Sequence, residues 1–253
     1  MPIDYARSLT GRDRTAIANR RLGLTLTFVA GATNAGGFLA VAQYTSHMTG
    51  IVSAMADDAV LGKYALVLGG AGALLAFIAG AACSAVMVNI GRRHRLHSEY
   101  ALPLLLEALL LLLFGMMGAR LATVEAFFTP VTVMLLCFIM GLQNAVISKL
   151  SRAEIRTTHV TGMVTDLGIE LGKLLYWNLG VAADQPRVEA DRARLRNLGA
   201  MVGFFFVGGA AGAFGFKRLG FIATVPLAVL LVALAVIPAG DDVAEAIRRR
   251  RFR

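Results

Sequence analysis

Long apolar runs alternate along this chain with short polar connections rich in arginine. Leu22 to Thr45, Tyr64 to Ile90, Thr129 to Ser148 and Leu219 to Gly240 contain no charged residue. Each reaches the roughly 20 residues a helix needs to cross a hydrocarbon core. Two further runs come close, Tyr100 to Ala119, interrupted only by Glu107, and Leu198 to Phe216. The pattern predicts an all-α polytopic membrane helix bundle of about six spans. Between the first two runs, Gln43 to Lys63 carries Asp57 and Asp58 and has too few apolar residues to cross. It reads as a short re-entrant or interfacial piece whose helix starts at Thr49, because threonine is a serviceable N-cap and the next residue, Gly50, keeps the backbone approachable.

A second level of pattern lies over the first. His47-Met48-Thr49-Gly50 closes on Leu61-Gly62-Lys63, and His159-Val160-Thr161-Gly162 closes on Leu171-Gly172-Lys173. Each His-x-Thr-Gly follows an apolar run with an asparagine in a Gly-x-x-Asn-Ala frame, Gly31 to Ala35 and Gly141 to Ala145. Phe206-Val207-Gly208-Gly209 echoes Phe77-Ile78-Ala79-Gly80. Such self-similarity signals an internal duplication. The expected organisation is a basic segment over 1–21, a first membrane repeat over 22–119, a second over 120–240 with a polar basic insert at 184–196, and a basic tail over 241–253. With three crossings per repeat, an odd number, the duplication is inverted, and each half carries a half-helix hairpin entering from its own side of the membrane. Secondary transporters place substrate at such a repeat interface, between broken helices.

Composition agrees with the membrane assignment: 57% hydrophobic and 16% charged residues, against roughly 45–50% and 25% in soluble domains. The formal charge of +9 resides mostly in loops and tails beside the apolar runs. The positive-inside rule accounts for it with no nucleic-acid partner. Six crossings put both termini, the Arg92-Arg93 loop, the insert and the Arg248 to Arg251 tail in the cytoplasm; a seventh through Val160 to Val181 would put that tail outside. The first apolar run is too long for a signal-peptide core and no cleavage site follows it. Cys83 and Cys137 fall inside apolar runs and behave as small hydrophobes.

The Gly-x-x-Asn-Ala frames and the stretch Thr157-Thr158-His159-Val160-Thr161-Gly162 resemble the YoaK-like family (DUF1275) of bacterial integral membrane proteins of unknown function. The similarity runs from the first span to the sixth, and the second-half motif, Gly141 to Ala145 with Thr158 to Gly162, is the more specific part. In the first half, Asn34 stands where an aspartate is common, and Ile51 where an asparagine is common. The resemblance implies a multi-pass protein of the bacterial inner (plasma) membrane and brings no substrate with it.

Asn34, His47, Thr49, Gly50, Gln143, Asn144, His159, Thr161, Gly162 and Asp166 are the candidate substrate-binding residues. Polar groups at membrane depth are costly unless they meet one another or a ligand. Hydrogen-bonding roles that merely pin the hairpins compete with binding at these positions, and an internal ion network competes at Asp166, Glu170 and Lys173. Glu107, a lone carboxyl inside an apolar run, is a candidate for proton coupling. No metal ligand set, cofactor motif, nucleotide loop or catalytic dyad stands out, which counts against an enzyme. The expected function is a small-solute transporter or permease for a polar or anionic solute, embedded in the lipid bilayer, with homo-oligomer formation open. A structural or accessory membrane protein is the alternative, and a membrane enzyme using His159 with Asp166 a more distant one.

Overall fold

Apolar side chains on every face leave such runs one good option in lipid, a helix that satisfies its own backbone hydrogen bonds. The computed structural model describes residues 16–94, 96, 98–121, 125–150, 160–176 and 187–251. Among them every regular element is helical: α1 (Ala16–Val41), α2 (Met48–Val60), α3 (Tyr64–Arg93), α4 (Ala101–Leu121), α5 (Glu125–Leu150), α6 (Val160–Leu175), α7 (Arg192–Leu219), a 3₁₀ turn at Gly220–Ala223 and α8 (Thr224–Arg251). Five stretches are long and apolar enough to cross a membrane: Ile17–Val41, Tyr64–Arg93, Ala101–Gly118, Thr129–Lys149 and Arg192–Val236. The last is 45 residues long and runs through α7, the 3₁₀ turn and α8.

Helix directions follow from which residues meet. Along α1 and α7, Phe28 faces Gly208, Ala32 faces Gly212 and Gly36 faces the Phe216 ring, so the two run the same way. α3 and α5 also run together, with Gly72 at Met134 and Gly80 at Phe138 and Leu142. In contrast, α1 meets α5 head to tail, Leu26 beside Gln143 and Gly37 beside Leu136. α4 and α8 are likewise antiparallel, joined by Gly115 against Thr224 at one end and Ser98 against Asp242 at the other. Phe114 on α4 clusters with Leu136 on α5, while Ala101 and Leu104 share a cluster with Val146 and Ile147, so these helices oppose each other too. Hence α1, α4 and α7 point one way and α3, α5 and α8 the other. The Arg192–Val236 stretch therefore doubles back, and it does so at Gly220, whose φ of 60° suits a residue without a Cβ.

The same contacts explain the glycines. A Cβ on Gly80 would collide with the Phe138 carbonyl, one on Gly141 with the Phe77 carbonyl, one on Gly31 with the Phe205 carbonyl and one on Gly208 with the Phe28 carbonyl. Backbone lies directly on backbone, as small residues permit in membranes where no hydrophobic force drives helices together. The main apolar core forms where α1, α4, α5 and α8 meet, around Leu22, Leu26, Leu104, Leu111, Ile139, Val146 and Leu231. α3 and α7 turn Leu66, Leu68, Leu75, Phe206, Val207 and Phe214 outward, an apolar surface suited to acyl chains.

Several boundaries differ from expectation. α2 starts at Met48 rather than Thr49: Ile51 N–H already donates to the His47 carbonyl at 3.1 Å, and His47 is the N-cap, without a side-chain bond. α6 likewise starts at Val160, one residue before Thr161. Part of the expected insert is helical, because Asp191 caps α7 by accepting from the N–H groups of Ala193 and Arg194, both at 2.9 Å, and Arg192 to Arg196 form its first turns. α8 continues to Arg251 through most of the expected tail, whose alanines and arginines are good helix formers. Residues 1–15 of the basic N-terminal segment, His159, 177–181 at the end of the Val160 to Val181 run, and 184–186 at the start of the insert lie outside the described residues.

Gly80→Ala should destabilise the detergent-solubilised protein, because neither helix backbone can retreat cheaply. An overpacking cost of about 1–3 kcal/mol lowers Tm by several degrees. Gly69→Ala, with nothing within 4 Å of the added methyl, should leave Tm within about a degree. Equal melting of the two variants would contradict the close packing.

Candidate functional site

The chain leaving α1 turns back on itself. Ala42 takes a φ of 53°, and Ser46 Oγ donates to Asn34 Oδ1 at 2.8 Å, so the segment after α1 folds down to the level of a residue two turns inside that helix. His47 and Met48 then start α2, which runs outward antiparallel to α3: Met48 and Ile51 pack near Ala73 and Phe77, and Met55 lies over Gly70. α6 does the equivalent against α7, with Met163 packed with Met201, Leu167 near Gly199, and Glu170 bonded to the Asp191 backbone. Both short helices thus begin inside the bundle and run out toward opposite ends.

Their N-termini open on one cavity of about 550 Å³. Ser46, His47, Met48 and Thr49 line it from the first half, and Thr161 from α6. Phe77 and Ala81 of α3 and Asn144, Ala145 and Ser148 of α5 complete the wall. No carboxylate, ammonium or guanidinium is among these residues, and His47 is the ionisable side chain present. Two helix N-termini, hydroxyls and an amide, with no carboxylate among the described lining residues, make a site that suits a polar solute and tolerates an anion. A larger recess of about 720 Å³ lies on the other side of His47, bounded by Phe38, Tyr44, Gly50, Asp58 and Pro130. His47 borders both, its ring lying so close to Gly50 that a Cβ there would strike it.

The other candidate residues sit elsewhere. Asn34 is nearly buried and engaged by Ser46. Gln143 is fully buried, its Nε2 donating to the Leu26 carbonyl at 3.2 Å. Gly50 faces the larger recess, and Gly162 lies in the first turn of α6 outside the cavity wall. Asp166 is engaged at 3.0 Å by Arg194, in an ion cluster away from the cavity. There Glu170, nearly without exposed surface, accepts from Lys173 Nζ and from the Asp191 N–H, both at 2.9 Å. The Lys173 bond, then the Asp191 amide, hold the Glu170 carboxyl below its ordinary range. Ser46 and Ser148 line the cavity without having been singled out; the signals were adjacency to His47 and a position one turn after Asn144. Arg194, from the insert, was missed as a partner because it lies 28 residues from Asp166. Among the described residues, no group of three His, Cys, Asp or Glu side chains could hold a metal ion.

A family described as "Protein of unknown function (DUF1275)" matches residues 22–237. The chain belongs to that family. No curated protein and no solved structure matches it. With five apolar stretches of crossing length, this DUF1275 member is a multi-pass membrane protein.

Because the Glu170 carboxyl is held below its ordinary range, the stability it contributes is fully present above its unfolded pKa, near 4.5, and is lost as pH falls through the lower folded value. Glu170→Gln should therefore melt below the parent at neutral pH, and the gap should close as both are acidified below about pH 4. A gap that does not change with pH would show that the charge contributes nothing.

Proposed function

We propose that this protein is a small-solute transporter or permease of inverted-repeat architecture, with its site between the N-termini of α2 and α6. The convergence of those two helix starts on one polar-walled cavity carries the proposal. α1–α4 form one repeat and α5–α8 the other. The pairing of glycines supports this: Gly31 meets Phe205 and Gly141 meets Phe77, while Gly208 meets Phe28 and Gly80 meets Phe138. Shifting the first half by 110 residues at α1 and by 128 at α3 converts either set of contacts into the other, with Phe205 rather than Phe206 matching Phe77. Every equivalent pair, α1 with α5, α3 with α7 and α4 with α8, runs in opposite directions, as an inverted duplication requires.

Doubling back at Gly220 gives six passes with both termini on one side. Loop charge then makes that side cytoplasmic, with the Arg92-Arg93, Lys149 and Arg194 ends inward. The larger recess beyond His47 opens toward the outside, and the cavity beneath it takes a small polar or anionic solute. An accessory role is the second reading, favoured by the hydrogen bond between Asn34 and Ser46, which pins the hairpin without any ligand.

A thermal-shift screen of the purified protein against small neutral polar solutes, carboxylates and inorganic anions tests the first reading. A stabilising compound should lose at least tenfold in affinity, about 1.4 kcal/mol, in Thr161→Ala and Thr49→Ala, while both variants without ligand melt within about 0.5 kcal/mol of the parent. Variants that lose binding only in step with stability would favour the accessory role. A cysteine added after Arg253 should resist an impermeant thiol reagent in intact cells, and labelling there would defeat the six-pass topology.

A further inference from the structure

Glu107 lies in the core with no exposed surface, and neither carboxyl oxygen has a hydrogen-bond partner. Its neighbours on the same face of α4, Leu104, Ala108 and Leu111, belong to the apolar cluster shared with α1, α5 and α8. Gln143 on α5 is also fully buried; its Nε2 is spent on the Leu26 carbonyl, and its Oε1 has no donor. The two side chains lie at one level. α4 and α5 run antiparallel, Phe114 and Leu136 share a cluster, and two helical turns from each, seven residues back and seven on, fall Glu107 and Gln143.

Among the described residues, the nearest cations on the packed elements stand off this level: Arg20 on α1, its Nε buried without a partner, lies six residues before Leu26. α1 from Leu22 to Val41, α3 from Tyr64 to Ile90, α5 from Thr129 to Ser148, the 3₁₀ turn and α8 from Thr224 to Val236 contain no charged residue. Cys83 and Cys137 are the titratable groups on these segments besides Tyr64 at the start of α3, and Cys137 packs in a separate cluster with Ile51 and Ala73. A bare carboxylate here would lose its hydration and receive nothing for it, and the Gln143 oxygen would remain a second orphaned acceptor. One proton on Glu107 removes both penalties, turning a carboxylate into an O–H donor opposite an acceptor that lacks one.

We propose that Glu107 and Gln143 form an intramembrane proton-binding site, with the Glu107 carboxyl O–H donating to Gln143 Oε1 and Gln143 Nε2 donating onward to the Leu26 carbonyl. The chain of bonds joins α4 to α5 to α1 and so ties the two halves together. Binding adds one proton from hydronium to the carboxylate and releases one water; unbinding reverses this. The proton has no twin, because repeat alignment of Pro103 with Pro226 puts Leu230 at the Glu107 position. That this proton drives solute movement rests on the transport reading; the site itself does not.

Infrared spectroscopy of the purified protein at neutral pH, in water and in deuterium oxide, tests the site without any solute. A protonated-carboxyl C=O band should be present in the parent, shift on deuteration and vanish in Glu107→Gln, whose amide can still donate to Gln143 and which should melt close to the parent. Gln143→Leu, which removes the acceptor, should keep the band and move it to higher frequency. A parent without the band, a band surviving in Glu107→Gln, or a band unmoved by Gln143→Leu would each overturn the proposal. So would a band that emerges only when sodium and potassium are replaced by choline, since the pair would then be holding a metal cation. Solute binding enters none of these outcomes, so an unsuccessful solute screen leaves them decisive.

Discussion

Everything in this bundle depends on backbone lying against backbone at a few glycines. Lipid gives apolar helices no reason to prefer one another over acyl chains, so association must come from close packing. Gly31, Gly80, Gly141 and Gly208 supply it by letting a neighbouring carbonyl occupy the place of a Cβ. These contacts set the α1–α7 and α3–α5 pairs, and the pairs fix where the ends of α2 and α6 can go. The cavity is a by-product of that registration: two short helices stop where the long pairs leave room, and their N-termini face each other across it.

The long elements were legible because lipid imposes length and apolarity on any span, and the start of each short helix was legible to within one residue. His47, Thr49, Asn144 and Thr161 line one cavity, and the signal that linked them in the sequence was the shared His-x-Thr-Gly and Gly-x-x-Asn-Ala spacing. Asn34, Gln143 and Asp166 went elsewhere for local reasons that spacing does not display. Asn34 is claimed by Ser46, Gln143 points into the apolar core rather than along the cavity wall, and Asp166 meets an arginine 28 residues later in the chain. The insert read as a loop because its charges hid a helix start capped by Asp191.

Polar satisfaction in the core is uneven. Thr27 bonds back to the Gly23 carbonyl at 2.7 Å within its own helix, a local solution available to any threonine. Thr33, Ser84 and Thr132 keep hydroxyls buried without partners, and Glu107 and Gln143 share that condition at one level. Hydroxyls left so cost little beside a carboxyl, so the level of Glu107 is where burial without a partner is most costly among these groups.

The two short helices are fastened by different kinds of force. α6 is held to α7 by Glu170, Lys173, Asp166 and Arg194, whereas α2 rests on α3 through Met55 over Gly70 and Ile51 beside Ala73. The two short helices therefore have unlike latches. Salt and acidity act on one of them, while the other answers to changes in the thioether, such as oxidation of Met55 to a polar sulfoxide. Each short helix can thus be loosened by a chemical condition that leaves the other in place.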